Sequence, residues 1–441
     1  MLLITLAVMW ININHERWPS KNVIVHDVIN YYAYLPAVFI EHDLSLSFLK
    51  SQPNLEKYYH YLPKEAPNGA YVIKTSMGMA ILYLPFFLCA HLFANIANYP
   101  CDGFSEPYHY AILLSSLFYF LIGIYFLYRL MLRYFEHALV ITVLFCITFA
   151  TNVFYYLTIA GGLSHIPGFA LFAAFLYLVV RWHEEKKLYQ ACLLGLICGL
   201  SVIVRPINGL MCLLFFLYGI NQRSDVKSKW LLYRKYFSSL IAAALCFLIM
   251  VLPQMIYWYN NTGSFIFNSY VGEHFYFTNP HIFYGLLSFR KGWFIYTPLM
   301  LLALYGLLAL KNPLPAWRVA FLFFMPLYLY VVFSWWCWWY GGSFGQRALI
   351  DIYPIMALSL AAAIFQFAKN FKRVTYSFLA FCLILNIWQT TQAKYNIIHY
   401  DSMTRTSYFK VLFTITKQED REKYMQHPDY NKALRGEEEY Q

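Results

Sequence analysis

Apolar runs of helical length follow one another along this chain, each closed by a short polar break, and that pattern leaves few folds open. The runs fall at residues 1–14, 77–97, 109–130, 138–158, 167–181, 188–204, 207–220, 236–258, 293–310, 317–335, 349–368 and 374–392. A helix needs about 20 apolar residues to cross the hydrocarbon of a bilayer, and most of these runs approach that length. Only 12% of the 441 residues are charged and 60% are hydrophobic, too little charge to cover a soluble surface. The pattern predicts an all-α polytopic membrane protein of about 11–12 hydrophobic helices. The run at 1–14 is short for a span and lacks a basic leader, so it reads either as a first helix that borrows flanking residues or as a start placed late.

Basic residues orient the helices, because Lys and Arg accumulate in cytoplasmic loops. The breaks at 129–137, 181–187, 221–235, 311–318 and 369–373 hold 15 Lys and Arg, whereas those at 98–108, 159–166, 205–206, 259–292 and 336–348 hold four. The first set is assigned to the cytoplasm and the second to the outer face. The net charge of +11 then reflects cytoplasmic loops, and no nucleic-acid partner is called for. Parity requires one run not to cross. The run at 77–97, which contains Pro85, is expected to be a juxtamembrane or re-entrant helix on the outer side, and the tail 393–441 to lie outside. The chain thus divides into a transmembrane domain, 1–392, with a first outer loop at 15–76, and a short extracytoplasmic tail.

The first outer loop is acidic and aromatic. Asn30–Ile40 reads as an amphipathic helix lying along the membrane. Asp27, between VIVH and VINYY, either caps that helix or, partly desolvated with a raised pKa, serves as a base towards a hydroxyl. Asp43 carries the same ambiguity, as an orienting residue or a contact to the polar part of a substrate. The scarce outer cations are Arg205 before Pro206, Arg290 and Lys291 in SFRKGWF, and Arg347 at the end of WWCWWYGGSFGQR, with Lys74 closing the first loop. Arg beside glycine suits phosphate, and each of these cations also suits a headgroup or a carboxylate partner such as Asp351. His165, in GGLSHIPG, stands at an outer helix start, where it bonds either a substrate or local backbone. No Walker-type loop, HExxH or paired CxxC occurs, and the nine cysteines make no disulfide framework.

Taken in order, Asp27 with YYAYLPAVFIEHDLSL, NGAYVIKTSMGMAILYLP, TIAGGLSHIPGFAL, VIVRPINGL, FRKGWFIYTPLMLLALYGL and WWYGGSFGQRALIDIYP resemble the GT-C superfamily of polyprenyl-phosphate-sugar-dependent glycosyltransferases. Within it, the likeness is to the bacterial relatives of protein O-mannosyltransferases and to the aminoarabinose transferases of lipid A. The resemblance implies an inverting transferase in a bacterial cytoplasmic (inner) membrane, working on the extracytoplasmic side. It further implies a polyprenyl-phosphate-linked sugar as donor and a glycan, lipid or protein acceptor. Asp27 would be the base, with Lys74, Arg205, Arg290, Arg347, Asp43 and His165 holding substrate or phosphate. Many relatives carry a second acid beside the first-loop Asp, whereas this chain has His26-Asp27-Val28, a poor site for a hard cation, so a divalent metal is not signalled. Two alternatives stay open: a flippase or transporter of lipid-linked glycans, and a non-catalytic sugar-lipid binding subunit.

Overall fold

A computed structural model describes residues 23–51, 63–310, 313–417, 420–437 and 440. The run at 1–14 lies outside them. Among the described residues, six helical stretches are long and apolar enough to cross a membrane: Gly78–Ile96, Glu106–Met131, His165–Glu185, Phe237–Thr262, Pro315–Phe333 and Arg347–Lys394. Shorter apolar helices at His137–Phe149, Leu188–Val204, Pro206–Leu217 and Leu299–Ala309 accompany them. One antiparallel hairpin, Lys64–Glu65 with Tyr71–Val72, is the only strand pair among the described residues. The architecture is that of an all-α, multi-pass membrane protein.

Lipid contact is visible on Phe237–Thr262. Leu245, Leu248, Ile249, Leu252 and Ile256 are 56, 51, 62, 48 and 45% exposed, and their spacing places them on one face of the helix. An apolar stripe of this size open to water is not tolerated in a soluble monomer, so hydrocarbon is its solvent.

The opposite side of that helix packs through glycine. A Cβ on Gly199 would stand 2.7 Å from the Phe247 carbonyl, and one on Gly195 would overlap the Ala243 carbonyl. These two glycines, four residues apart in Leu188–Val204, let two backbones touch where apolar burial alone gives helices no reason to associate in lipid. Gly306 does the same against Ser359, joining Leu299–Ala309 to the helix that begins at Tyr353.

Several apolar runs are interrupted for local chemical reasons. Pro36 has no N–H for the Tyr32 carbonyl, and the expected helix at 30–40 is two short ones, Asp27–Tyr32 and Tyr34–Phe39. Pro298 likewise separates Trp293–Tyr296 from Leu299–Ala309. Tyr353–Lys394 has 42 residues, about 63 Å if straight. Ser343 donates to the Tyr400 carbonyl at 3.1 Å across that whole length. The helix therefore doubles back, and Phe371 (φ −128°, ψ 41°) is the bend, flanked by Lys369, Lys372 and Arg373.

Two faces result. The basic breaks meet on one: Arg133 pairs with Glu184, Gly219 donates to Ala316 at 2.7 Å and Lys229 lies over Tyr218. The breaks poor in cations meet on the other, where Val23 and Ile24 donate to His109 Nδ1 at 3.2 Å, Tyr31 bonds Ser164 at 3.3 Å and Arg205 donates to Ala348 at 3.1 Å. Gly78–Ile96 contacts this second face at both ends. Gly78 lies against Val204, and His91 bonds the hydroxyl of Tyr108 at 2.6 Å in the first turn of Glu106–Met131.

Replacing Gly195 by Leu should force the two helices apart and lower stability by about 1–3 kcal/mol, as overpacking of a tight interface does. Thermal unfolding in detergent measures it, and a melting temperature equal to that of the native chain would show that the close approach carries no stability.

Candidate active site

The second face brings together side chains far apart in sequence. Asp27 is the first residue of its helix, not the cap. The capping position belongs to His26, at φ 52°, ψ −123°, with no side-chain capping bond. Backbone in that region is costly for a residue with a Cβ, and such strain is held only where surrounding structure imposes it. It points the Asp27 carboxylate at Arg347, whose Nη2 donates to Oδ2 at 2.8 Å. Asp27 keeps 41% of its side-chain surface open and Arg347 13%, as at the mouth of a recess.

Arg347 is held from behind. Left-handed backbone at Gly341 and Gly345 (φ 63° and 58°) turns the aromatic stretch into the short helix Arg347–Ile352. The Phe344 amide donates to the Tyr156 hydroxyl at 3.0 Å, while Lys291, itself buried, donates to the carbonyls of Ser343 and Tyr400. Arg347 Nε is buried without a hydrogen-bond acceptor among the described residues. A buried guanidinium with a spare donor beside a part-exposed carboxylate is suited to an anionic oxygen.

Four residues on from Arg347, Asp351 is fully buried. Its Oδ2 accepts from Arg205 Nη1 and from Asn208 Nδ2, both at 3.0 Å, and its Oδ1 from His165 Nδ1 at 3.3 Å. Gly168 makes room for it: a Cβ there would be 2.7 Å from the Asp351 carboxyl carbon. Tyr328 donates to the Asn208 side chain at 3.2 Å, closing the network. Arg205 lies over Tyr340 at 5.8 Å. On the other flank Lys74 pairs with Glu273 at 2.5 Å and lies over Tyr270 at 5.2 Å, and Trp336 Nε1 donates to Glu273 at 2.9 Å.

Of the residues singled out in the sequence, Asp27, Lys74, His165, Arg205 and Arg347 therefore converge. Arg290 and Asp43 do not join them. Arg290 is 1% exposed, donates to the Gln426 carbonyl at 3.1 Å and lies under Tyr440 at 4.8 Å, so the C-terminal tail covers it. Asp43 organises its own turn, accepting the Ser45 and Ser47 amides at 2.8 Å each. Partial burial opposes its charge, but hydrogen bonds from the Ser45 and Ser47 hydroxyls, then from the Ser45 and Phe48 amides, outweigh it and hold its pKa at about 2. Tyr31, Ser164, Asn208, Tyr270 and Glu273 escape sequence reasoning because nothing local distinguishes them.

The Asp27 pKa also departs from expectation. Burial does push it up, but the adjacent guanidinium of Arg347, with smaller contributions from Lys74 and His165, more than offsets this, and the carboxyl lies below its ordinary value. Asp27 is thus ionised at neutral pH. Burial and the Asp27 charge push the neighbouring Tyr31 hydroxyl up to about 12, so it stays a neutral donor.

No family model matches the chain, and no curated protein matches it. Among solved structures it is similar to the oligosaccharyltransferase AglB of Archaeoglobus fulgidus, determined with an inhibitory peptide and a dolichol-phosphate, with 13% identity and a TM-score of 0.46 over 96% of this chain and 58% of that one. It is also similar to the apo form of the oligosaccharyltransferase from that organism, with 13% identity and a TM-score of 0.43 over 96% and 59%. The chain spans a little under three fifths of the length of these structures. A likeness at this level carries no function across, so the chemistry has to be read from the residues.

Two measurements bear on the site. Asp351→Ala should leave Arg205 buried without its partner and cost about 3–5 kcal/mol, read as a large drop in the unfolding temperature in detergent, whereas an unchanged temperature would mean that the pair contributes nothing. For Asp27, a carboxyl depressed in the fold adds stability that is complete above its unfolded pKa and is lost as the pH falls through its folded one. The difference in melting temperature between the native chain and Asp27→Asn should hold from about pH 7 to 5 and shrink only below about pH 4. Shrinkage already between pH 7 and 5 would indicate a raised pKa.

Proposed function

We propose that the chain is an integral membrane glycosyltransferase, moving a sugar from a polyprenyl-phosphate carrier to an acceptor hydroxyl of a glycan, lipid or protein. The observation that carries this reading is the Asp27–Arg347 pair at 2.8 Å. It sets a carboxylate base against a buried phosphate-type cation in a half-open recess, on the face of the bundle where loops are poor in Lys and Arg. By the charge rule that face is extracytoplasmic. In a bacterium it would be the outer side of the cytoplasmic membrane.

The residues divide the work. The acceptor oxygen attacks the anomeric carbon from the side opposite the phosphate, the bond from that carbon to the phosphate oxygen breaks, and the configuration inverts. Asp27 takes the acceptor proton. The polyprenyl phosphate leaves with the bonding electron pair, and its growing charge needs cations placed in advance. Arg347 is the first of these, with its unsatisfied Nε, and Arg205 and Lys74 flank it. His165 holds the Asp351 side of Arg205 in place and is a positioning residue.

The pairing gives these steps an order. Without donor, Arg347 lowers the basicity of Asp27. A donor phosphodiester competes for the guanidinium, and as Arg347 turns to it the carboxylate loses its strongest stabilising partner and becomes a better base. Donor binding would then arm the base. Opposed to a transporter, the ionisable groups of this cluster sit at helix ends around the recess: Arg205 ends Leu188–Val204, His165 opens its helix and Arg347 begins Arg347–Ile352.

The test uses the full chain in proteoliposomes with synthetic polyprenyl-phosphate hexoses and pentoses and a cell-envelope extract as acceptor, following release of polyprenyl monophosphate. Asp27→Asn should lower release by about 10²–10⁴-fold, and Arg347→Gln by about 10²–10³-fold, with the acid limb of the remaining activity moved to higher pH. Full release by Asp27→Asn would overturn the assignment, and donor crossing the bilayer unhydrolysed would point to a flippase.

A further inference from the structure

The C-terminal tail contains a cluster with no part in the chemistry above. His399, Asp401 and His427 offer ligand atoms that all lie within 4.8 Å of one another, the one such His, Cys, Asp or Glu group among the described residues. They come from two segments that surround short helices of seven and four residues, Arg405–Val411 and Arg421–Tyr424.

Hydrogen counting shows what the cluster lacks. His427 Nε2 is 3.0 Å from Glu422 Oε2, which requires the ring hydrogen on that nitrogen. With the ring neutral, His427 Nδ1 presents a lone pair to Ser402 Oγ at 2.8 Å. Ser402 Oγ is also 2.6 Å from Asp401 Oδ1, an acceptor, and it has one hydrogen for both. His399 Nδ1 lies 3.2 Å from Asp401 Oδ1 and 3.4 Å from the Asp401 amide, the longer contact at the limit of a hydrogen bond. With His427 neutral, its Nδ1 lone pair and the Asp401 carboxylate compete for the one Ser402 hydroxyl hydrogen, with His399 Nδ1 beside them. His399 and Asp401 side chains are each 7% exposed, so water does little to satisfy them.

We propose that these three residues bind a zinc-type divalent cation through His399 Nδ1, Asp401 Oδ1 and His427 Nδ1. Two imidazoles and a carboxylate are a borderline donor set that suits zinc and leaves a fourth position, beside Ser402, for water. The surroundings match what metal ligands need. A ligating histidine usually gives its other N–H to a carboxylate, as His427 does to Glu422, and a ligating carboxylate has its second oxygen engaged, as Tyr430 engages Asp401 Oδ2 at 2.9 Å.

The ion would tie together the tail segments on either side of Arg405–Val411 and Arg421–Tyr424. The pinned segments carry the Tyr400 carbonyl, which accepts from buried Lys291, and the Gln426 carbonyl, which accepts from Arg290. Lys291 also holds Ser343, four residues before Arg347. Zinc would therefore stiffen the backing of the recess without entering it.

The full chain, purified in detergent, is stripped with chelator, incubated with zinc chloride, dialysed and measured for zinc content and melting temperature. About one zinc per chain is expected, with a melting temperature that falls on chelation and recovers with zinc but not with magnesium. Asp401→Asn and His427→Gln should each reduce zinc retention by about 10-fold or more. His427 is 60% exposed, so its variant should fold and keeps the test decisive if Asp401→Asn does not. No zinc uptake by the native chain, or uptake by His427→Gln equal to it, would overturn the proposal. A melting temperature that responds to pH and not to zinc would also overturn it, assigning the cluster to a protonated histidine.

Discussion

The buried Arg205–Asp351 pair is the contact on which the cation-poor face depends. Asp351 is fully buried, and removing two charges from water costs more than one contact returns unless other hydrogen bonds complete their valences. Here they do: Asn208 and His165 complete the carboxylate, and the Ala348 carbonyl takes a further donor of Arg205. The pair joins the end of Leu188–Val204 to the short helix Arg347–Ile352, and His165 adds the start of a third helix. Because Arg347 and Asp351 share that short helix, fixing one orients the other. The guanidinium that faces Asp27 is thereby held by the network beside it.

Around the recess, cations and carboxylates alternate in pairs drawn from distant segments: Asp27 with Arg347, Asp351 with Arg205, and Glu273 with Lys74. Unpaired, any of these cations would be expensive so near hydrocarbon. Paired, they can wait for an anion, but the anion must displace a carboxylate to be bound. The three pairs are not equal in this respect. Arg205–Asp351 is sealed by further bonds, whereas Asp27 is 41% exposed and shares Arg347 with an unsatisfied Nε. Exchange is easiest at Asp27, the carboxylate that the proposed reaction uses as its base.

The bundle was largely legible because its signals are local. Apolar length, the basic breaks and prolines such as Pro298 depend on neighbours in sequence, and the helices begin and end near them. Lys369, Lys372 and Arg373 marked the bend at Phe371 as a break between two apolar runs. Arg347, Arg205, Lys74, His165 and Asp27 stood out because ionisable residues are rare in such a chain. Their partners did not. Asn208 acquires its role from Asp351, 143 residues away, and Glu273 from Lys74. Arg290 failed as a recess residue for the same reason in reverse, since only the folded-back tail reveals that Gln426 and Tyr440 cover it. The Asp27 pKa was misjudged because sequence shows apolar neighbours, which raise it, and hides the guanidinium that lowers it.

Tail and recess meet at Lys291, and the geometry explains why a buried lysine is kept there. Its ammonium has two carbonyls, of Ser343 and Tyr400, and no carboxylate salt bridge among the described residues. Burial pushes its pKa well down, with the Asp401 charge opposing that shift. A leucine would fill the space at less electrostatic cost, but it would not join two backbones. The lysine links the glycine-containing turn before Arg347 to the first residues of the tail, where Ser343 and Tyr400 already share a 3.1 Å bond. A turn with left-handed residues at 340, 341 and 345 has little regular hydrogen bonding of its own. Its rigidity must come from outside, and the tail supplies it together with Tyr156.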